Sequence, residues 1–148
     1  MRFVDGVYNV NITIHMAKIE RFEDFECWKT GRELRKTIYR FTRARAFAED
    51  TSLVDQIRRA AQSVTSNIAE GFAREGNKEF KNFLSISKGS VAEVKDQLYT
   101  ALDESYITQA DFDRAYALAT SADHLIGGLI TYLQKTEMVG IKFKRTQK

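Results

Sequence analysis

The chain has 148 residues, 43% of them hydrophobic and 29% charged, which is enough for one buried core and too few for two ordinary domains. Average usage would place about 7 prolines in such a length; there are none, so long helices meet no obstacle and an all-α fold is expected. One cysteine, Cys27, excludes an internal disulfide framework and a Cys-rich zinc site, and fits a reducing, cytoplasmic setting.

The first fifteen residues lack the basic-then-apolar start of a secretory signal, and no apolar run approaches the roughly 18 residues of a membrane span. Tyr8 to Ile14 alternates polar and apolar like a strand, but no second strand is available to pair with it. Residues 1–15 therefore read as a poorly ordered extension, or as a segment that pairs with its copy in a neighbouring subunit.

Four helical segments follow. In the first, from about Phe22 to Arg45, Cys27, Trp28, Gly31, Leu34, Ile38, Tyr39, Phe41 and Thr42 share one arc and form its buried face. Ala46 to Asp50 reads as a loop, and Ser52 with Asp55 as a capping box opening the second helix, whose apolar stripe is Leu53, Ile57, Ala60, Ala61, Val64, Ile68 and Phe72. Gly71 and Gly76 bracket a break, after which Asn77 is the expected N-cap of a third helix. Its inward positions run Phe80, Phe83, Leu84, Ser87, Val91, Val94, Leu98, Ala101 and Leu102, and Ser85, Gly89 and Ser90 read as further small packing residues. Thr108 and Asp111 make a second capping box for the fourth helix, lined by Phe112, Ala115, Tyr116, Ala119, Ala122, Ile126, Leu129, Ile130 and Leu133.

Short links between long helices favour an up-down-up-down antiparallel four-helix bundle. The expected organisation is an N-terminal extension over residues 1–21, the bundle over 22–136 and a basic tail over 137–148. Leu118 and Leu125 widen the apolar stripe of the last helix beyond one packed face, which points to a homo-oligomer.

The net charge is only +3, but it is unevenly spread. Residues 29–45 carry seven cations against the single anion Glu33, and the last eleven residues add Lys142, Lys144, Arg145 and Lys148, while residues 46–137 are net acidic. Lys29, Arg32, Lys36, Arg40 and Arg43 fall within about 80° of one helical face, opposite the apolar arc, in a stripe about 21 Å long. Like charges at these spacings destabilise an isolated helix, so an external anion is the expected partner, and the phosphates of RNA or DNA fit. The alternative is that acidic side chains of other helices, or of a neighbouring subunit, neutralise the stripe. On the second helix Gln56, Arg59, Ser63, Asn67 and Glu70 flank the apolar stripe on one side, Arg58 and Thr65 on the other; these read chiefly as inter-helix or inter-subunit hydrogen-bonding groups. Arg59 can pair with Asp55, and Arg74 with Glu70 if the helix continues past Gly71. Arg58 has no carboxylate four residues on and is the member most readily assigned to a ligand.

Enzymatic readings find little support. His124 has Ser121 three residues before it, not the Glu of a di-iron Glu-x-x-His motif, and His15 lies in the extension. The run Gly71 to Gly76 lacks the glycine spacing of a phosphate or dinucleotide loop. Cys27 sits on the buried arc, and the acid pairs Asp103–Glu104 and Asp111–Asp113 sit at helix ends. No catalytic residue, metal site or cofactor is expected.

The run from Gln56 through Arg58-Arg59-Ala60-Ala61, Ser63-Val64 and Asn67-Ile68-Ala69-Glu70-Gly71-Phe72 to Arg74 closely resembles the bacterial four-helix-bundle family named after 23S rRNA intervening sequences. Phe80 to Leu84, Gly89 to Glu93, Phe22 to Trp28 and Gly127 to Ile130 fit the same pattern, so the resemblance spans about residues 20–135. That family is similar to the accessory variability protein of diversity-generating retroelements. The resemblance implies a homo-oligomer, a pentamer in particular, with a role tied to nucleic acid and no established chemistry. Lys29, Arg32, Lys36, Arg40, Arg43, Arg58, Lys142, Lys144 and Arg145 are the expected nucleic-acid-binding residues. The competing expectation is a protein-interaction scaffold or accessory subunit, for example of a reverse transcriptase, without nucleic-acid contact.

Overall fold

All regular structure in residues 19–137, the part of the chain that the computed structural model describes, is helical. After a 3-10 turn at Phe22–Asp24 come α1 (Glu26–Thr42), the five-residue α2 (Arg45–Glu49), α3 (Thr51–Ala73), α4 (Asn77–Asp103) and α5 (Gln109–Glu137). The extension before Ile19 and the tail after Glu137 lie outside the described residues.

Contacts among the four long helices form a closed ring: α3 packs on α4, α4 on α5, and α1 meets both α5 and α3. Cross-helix pairs number in opposite senses along two of the neighbouring pairs, α1 with α3 and α4 with α5. Arg35 meets Thr65 while Arg58 meets Thr42, and Lys88 meets Asp123 while Asn77 meets Thr136. Leu34, Ile38, Ile57, Val64, Ile68, Leu84, Leu98, Ile126 and Leu133 are fully buried in the interior that the ring encloses, each contributing about 1.5–3 kcal/mol of transfer free energy. Ser87 and Ser90 belong to this interior: Ser87 Oγ donates to the Val64 carbonyl at 2.6 Å, and Ser90 Oγ lies 2.7 Å from Ser63 Oγ. The other small residues of α4, Ser85 and Gly89, face outward instead.

Aromatic clusters close both ends. At one, Phe25, which is 3% exposed, packs edge-on to Phe72 (5.3 Å between centroids) and beside Phe80 (5.6 Å). At the other, the segment expected as a loop forms α2, which turns the fully buried Phe47 onto the ring of Tyr106 at 5.2 Å. Five residues are too few to show a helical period, so only burial of Phe47 distinguishes this turn from a loop.

Several of the expected helix boundaries differ. The N-cap of α3 is Asp50 rather than Ser52: its Oδ1 accepts from the Leu53 amide at 3.1 Å, while Ser52 accepts from Gln56 and Asp55 pairs with Arg59. Gly76, extended at φ −140°, precedes α4 without a side-chain cap, and Asn77 is instead its first residue, donating to Thr136 Oγ1 at 3.2 Å. Finally, α1 ends at Thr42, not Arg45, and α3 continues through Gly71 to Ala73, so Arg74 does pair with Glu70 at 3.0 Å. The left-handed residue that ends α3 is Glu75 (φ 62°), not a glycine. The expected second cap is present: Thr108 Oγ1 accepts from the Asp111 amide at 3.1 Å, while the Asp111 carboxylate pairs with Arg114.

Asp50 fastens two distant turns at once, because its Oδ2 accepts from the Tyr106 hydroxyl at 3.0 Å. Asp50→Ala should lower stability by about 1–2 kcal/mol through removal of the cap alone, measured by urea unfolding. The hydrogen bond to Asp50 is the main cause that raises the Tyr106 phenol above its ordinary value, with burial and the Asp50 charge adding to it. The raised value favours the neutral phenol in the folded state. That contribution is therefore fully present below the ordinary tyrosine pKa and lost as pH rises through the raised one. Tyr106→Phe should remove this alkaline dependence from the unfolding curve.

Candidate nucleic-acid interface

Amphipathicity orients α1. Cys27, Gly31, Leu34, Thr37, Ile38, Phe41 and Thr42 point inward, which leaves Lys29, Arg32, Lys36, Arg40 and Arg43 exposed. The stripe is partly compensated by its own helix: Lys29 Nζ lies 3.3 Å from Glu26 and Lys36 Nζ 3.3 Å from Glu33. Both pairs are more than half exposed, so solvent and salt leave them only a few tenths of a kcal/mol and most of the positive field intact. Arg32 lies over Trp28 with its guanidinium carbon 5.7 Å from the ring centroid. Among the described residues no carboxylate pairs with Arg40 or Arg43, and no acid of α4 or α5 pairs with the stripe.

A groove of about 860 Å3 opens between α1 and α3. It brings Lys36, Arg40 and Arg43 of the stripe together with Arg35, Trp28 and Tyr39, and α3 contributes Gln62 and Ser66 to the far wall. Among the described residues, none that lines it is acidic. Arg35 is held in place by a 2.8 Å hydrogen bond to Thr65 Oγ1. Its position one step round the helix, on the flank facing α3, kept it out of the outward stripe. The run Trp28, Arg35, Tyr39, Thr42, spaced 7, 4 and 3 residues, was the sequence signal for this second line of side chains.

Arg58, expected as a ligand contact, is engaged within the fold. Half-buried, it donates from Nε to Thr42 Oγ1 at 2.8 Å, with its guanidinium carbon 4.5 Å from the Tyr39 centroid. It braces α3 against α1, and Gln62 Nε2 donates to the Tyr39 hydroxyl beside it. Ser63 and Asn67 likewise bond within the fold, Asn67 Nδ2 donating to the Ser63 carbonyl at 2.8 Å. Lys142, Lys144 and Arg145 lie outside the described residues.

A smaller cavity of about 430 Å3, where α1 ends beside α5, carries mixed charge: Arg40 and Arg114 face Asp111, and Arg114 pairs with that carboxylate. Among the described residues no group of His, Cys, Asp and Glu is arranged to hold a metal ion. No helix among them is long and apolar enough to cross a membrane. Cys27 is 3% exposed, and burial pushes its thiol up to about 12. As the thiolate is the reactive form, a thiol reagent at pH 8 should leave the folded protein unmodified. The same reagent should label this single cysteine at once in denaturant; fast labelling of the native protein would contradict its burial.

Among the described residues the regular structure is all helical, and its first and second long helices enclose a basic, aromatic-lined cleft with no acidic lining residue. The chain belongs to the 23S rRNA-intervening sequence protein family, whose model matches residues 23–128 and so covers α1 to α4 whole and most of α5. Its fold is similar to that of a protein of unknown function from the S23 ribosomal protein family of Bacteroides thetaiotaomicron, with a TM-score of 0.62 and 21% identity over 70% of this chain and 97% of that one. None of the curated proteins matches the chain.

Proposed function

We propose that the protein is a non-catalytic nucleic-acid-binding module of the cytoplasm that presents the basic face of α1 to phosphates, with structured RNA as the leading ligand. One observation carries this reading: Arg35, Lys36, Arg40 and Arg43 converge on one groove without an acidic lining residue among the described ones. Cations held together with only the exposed Lys36–Glu33 pair to compensate them raise one another's energy, and a polyanion relieves that by releasing its own counterions. The family description, which refers to 23S rRNA intervening sequences, points the same way.

The working unit in this reading is an antiparallel four-helix bundle assembled as a homo-oligomer, a pentamer by the resemblance. The opposed numbering of cross-helix pairs supports the topology. The exposure of Ile86 (53%) and Leu125 (39%) supports the assembly, because apolar surface of this kind is commonly covered between subunits. Repeated basic faces would then multiply a weak single contact.

The test is binding of the purified protein to a labelled hairpin RNA and to duplex DNA across a range of salt, with oligomer mass recorded in the same samples. Micromolar or tighter binding that weakens steeply as salt rises is the expected result. An intact oligomer that binds neither at low salt would refute the reading in favour of a protein partner, such as a reverse transcriptase.

A further inference from the structure

We infer that the α1–α3 groove takes an unpaired stretch of nucleic acid, with a base stacked on Trp28, while duplex can reach only the outer cations. The inference rests on the nucleic-acid reading above and makes it narrower.

A cleft of about 860 Å3 between two helices that pack directly on each other has room for a few unpaired nucleotides but not for the width of a duplex. Its lining matches the two chemical faces of a single strand. Arg35, Lys36 and Arg43 supply cations for the backbone, whereas Trp28 and Tyr39 supply aromatic surface for bases. Tyr39 is already engaged by Arg58 on its ring and by Gln62 at its hydroxyl, so it forms part of the wall. Trp28 is the more available platform. It is only half-buried, Phe22 meets it edge-on at 5.3 Å, and the Arg32 guanidinium stands 5.7 Å from its centroid, at the outer limit of a cation–π contact. Arg32 is exposed and on a flexible stem, so it can swing out to a phosphate as a base takes its place over the ring. The exposed hydroxyl of Ser66 on the facing wall offers a hydrogen bond to a base edge.

Trp28 is the single tryptophan of the chain, so its emission reports on the groove alone. The full-length protein is titrated at low salt with an unstructured oligo-uridine, the corresponding oligo-thymidine, and an RNA duplex of equal length, following Trp28 fluorescence and anisotropy of a label on each strand. The expected result is at least tenfold tighter binding of the single strands than of the duplex, with Trp28 emission quenched by half or more at saturation. Trp28→Leu should weaken single-strand binding about tenfold or more and leave duplex binding unchanged, its helical content and melting being checked by circular dichroism. Wild-type fluorescence decides the matter even if that variant is unstable. Equal binding of single strand and duplex, or single-strand binding with unchanged Trp28 emission, would overturn the groove assignment and leave the phosphate-binding reading standing. Absence of binding to all three would overturn both.

Discussion

Gly71→Ala is expected to lower the thermal midpoint by about 5–10 °C, whereas Gly89→Ala should leave it unchanged or raise it by a few degrees. A Cβ at Gly71 would stand 2.6 Å from Phe83 Cβ and 2.9 Å from Phe80 Cδ2. Phe83 Cβ is fixed to the α4 backbone and cannot rotate aside, so α3 and α4, the most extensively packed pair of helices, must separate there. Overpacking of this kind costs about 1–3 kcal/mol, and a domain of this size drops several degrees per kcal/mol. At Gly89 nothing lies within 4 Å of the added methyl, and the residue is helical and exposed. There the substitution contributes only helix propensity, up to about 1 kcal/mol in favour of alanine. Two chemically identical substitutions in facing helices should thus move stability in opposite directions. Scanning calorimetry of the pair checks this, and equal decreases would mean that propensity and packing have been assigned wrongly.

Replacing Lys36, Arg40 and Arg43 together by Glu should weaken nucleic-acid binding at least a hundredfold at about 0.1 M salt. All three side chains are exposed and line the groove, so little of their role is structural. Each phosphate that is no longer neutralised should flatten the plot of log affinity against log salt by about 0.7–0.9, a total change of about 2–3, and the reversed charges add repulsion. A control with the same charge change at Lys78, Lys135 and Arg59, none of which lines the groove, should bind far more like the parent. Oligomer mass should stay the same in both. Joint disappearance of binding and assembly would make this face of α1 a subunit contact.

What could be read from the sequence was whatever repeats with the period of a helix. The inward faces of α1, α3, α4 and α5 follow from apolar spacing, and the outward position of Lys29, Arg32, Lys36, Arg40 and Arg43 follows from the same period seen from behind. Features decided by distant partners were not legible. Ser52 and Asp50 are both good capping residues near the start of α3, and Tyr106, more than fifty residues away, holds Asp50 in the capping position. Asn77 gives up the cap to reach Thr136 on α5, and Arg58 is drawn inward by Thr42 and Tyr39. The groove itself needs two helices to exist. Trp28 therefore reads as core, and Arg35 only as one of seven cations, until α3 supplies Gln62 and Ser66 opposite them.

The Phe25–Phe80 contact and the Asn77–Thr136 hydrogen bond bring the beginning and the close of the described chain to one pole of the molecule. The turn built on Phe47, Asp50 and Tyr106 occupies the other. Neighbouring ends make a circular permutation feasible: a short linker would join the region of Glu137 to that of Ile19. New ends opened between Arg43 and Arg45, in the exposed link after α1, would then emerge at the far pole. Reporter groups attached beside Ile19 or Thr136 and at the new ends would mark the two poles of the described bundle separately.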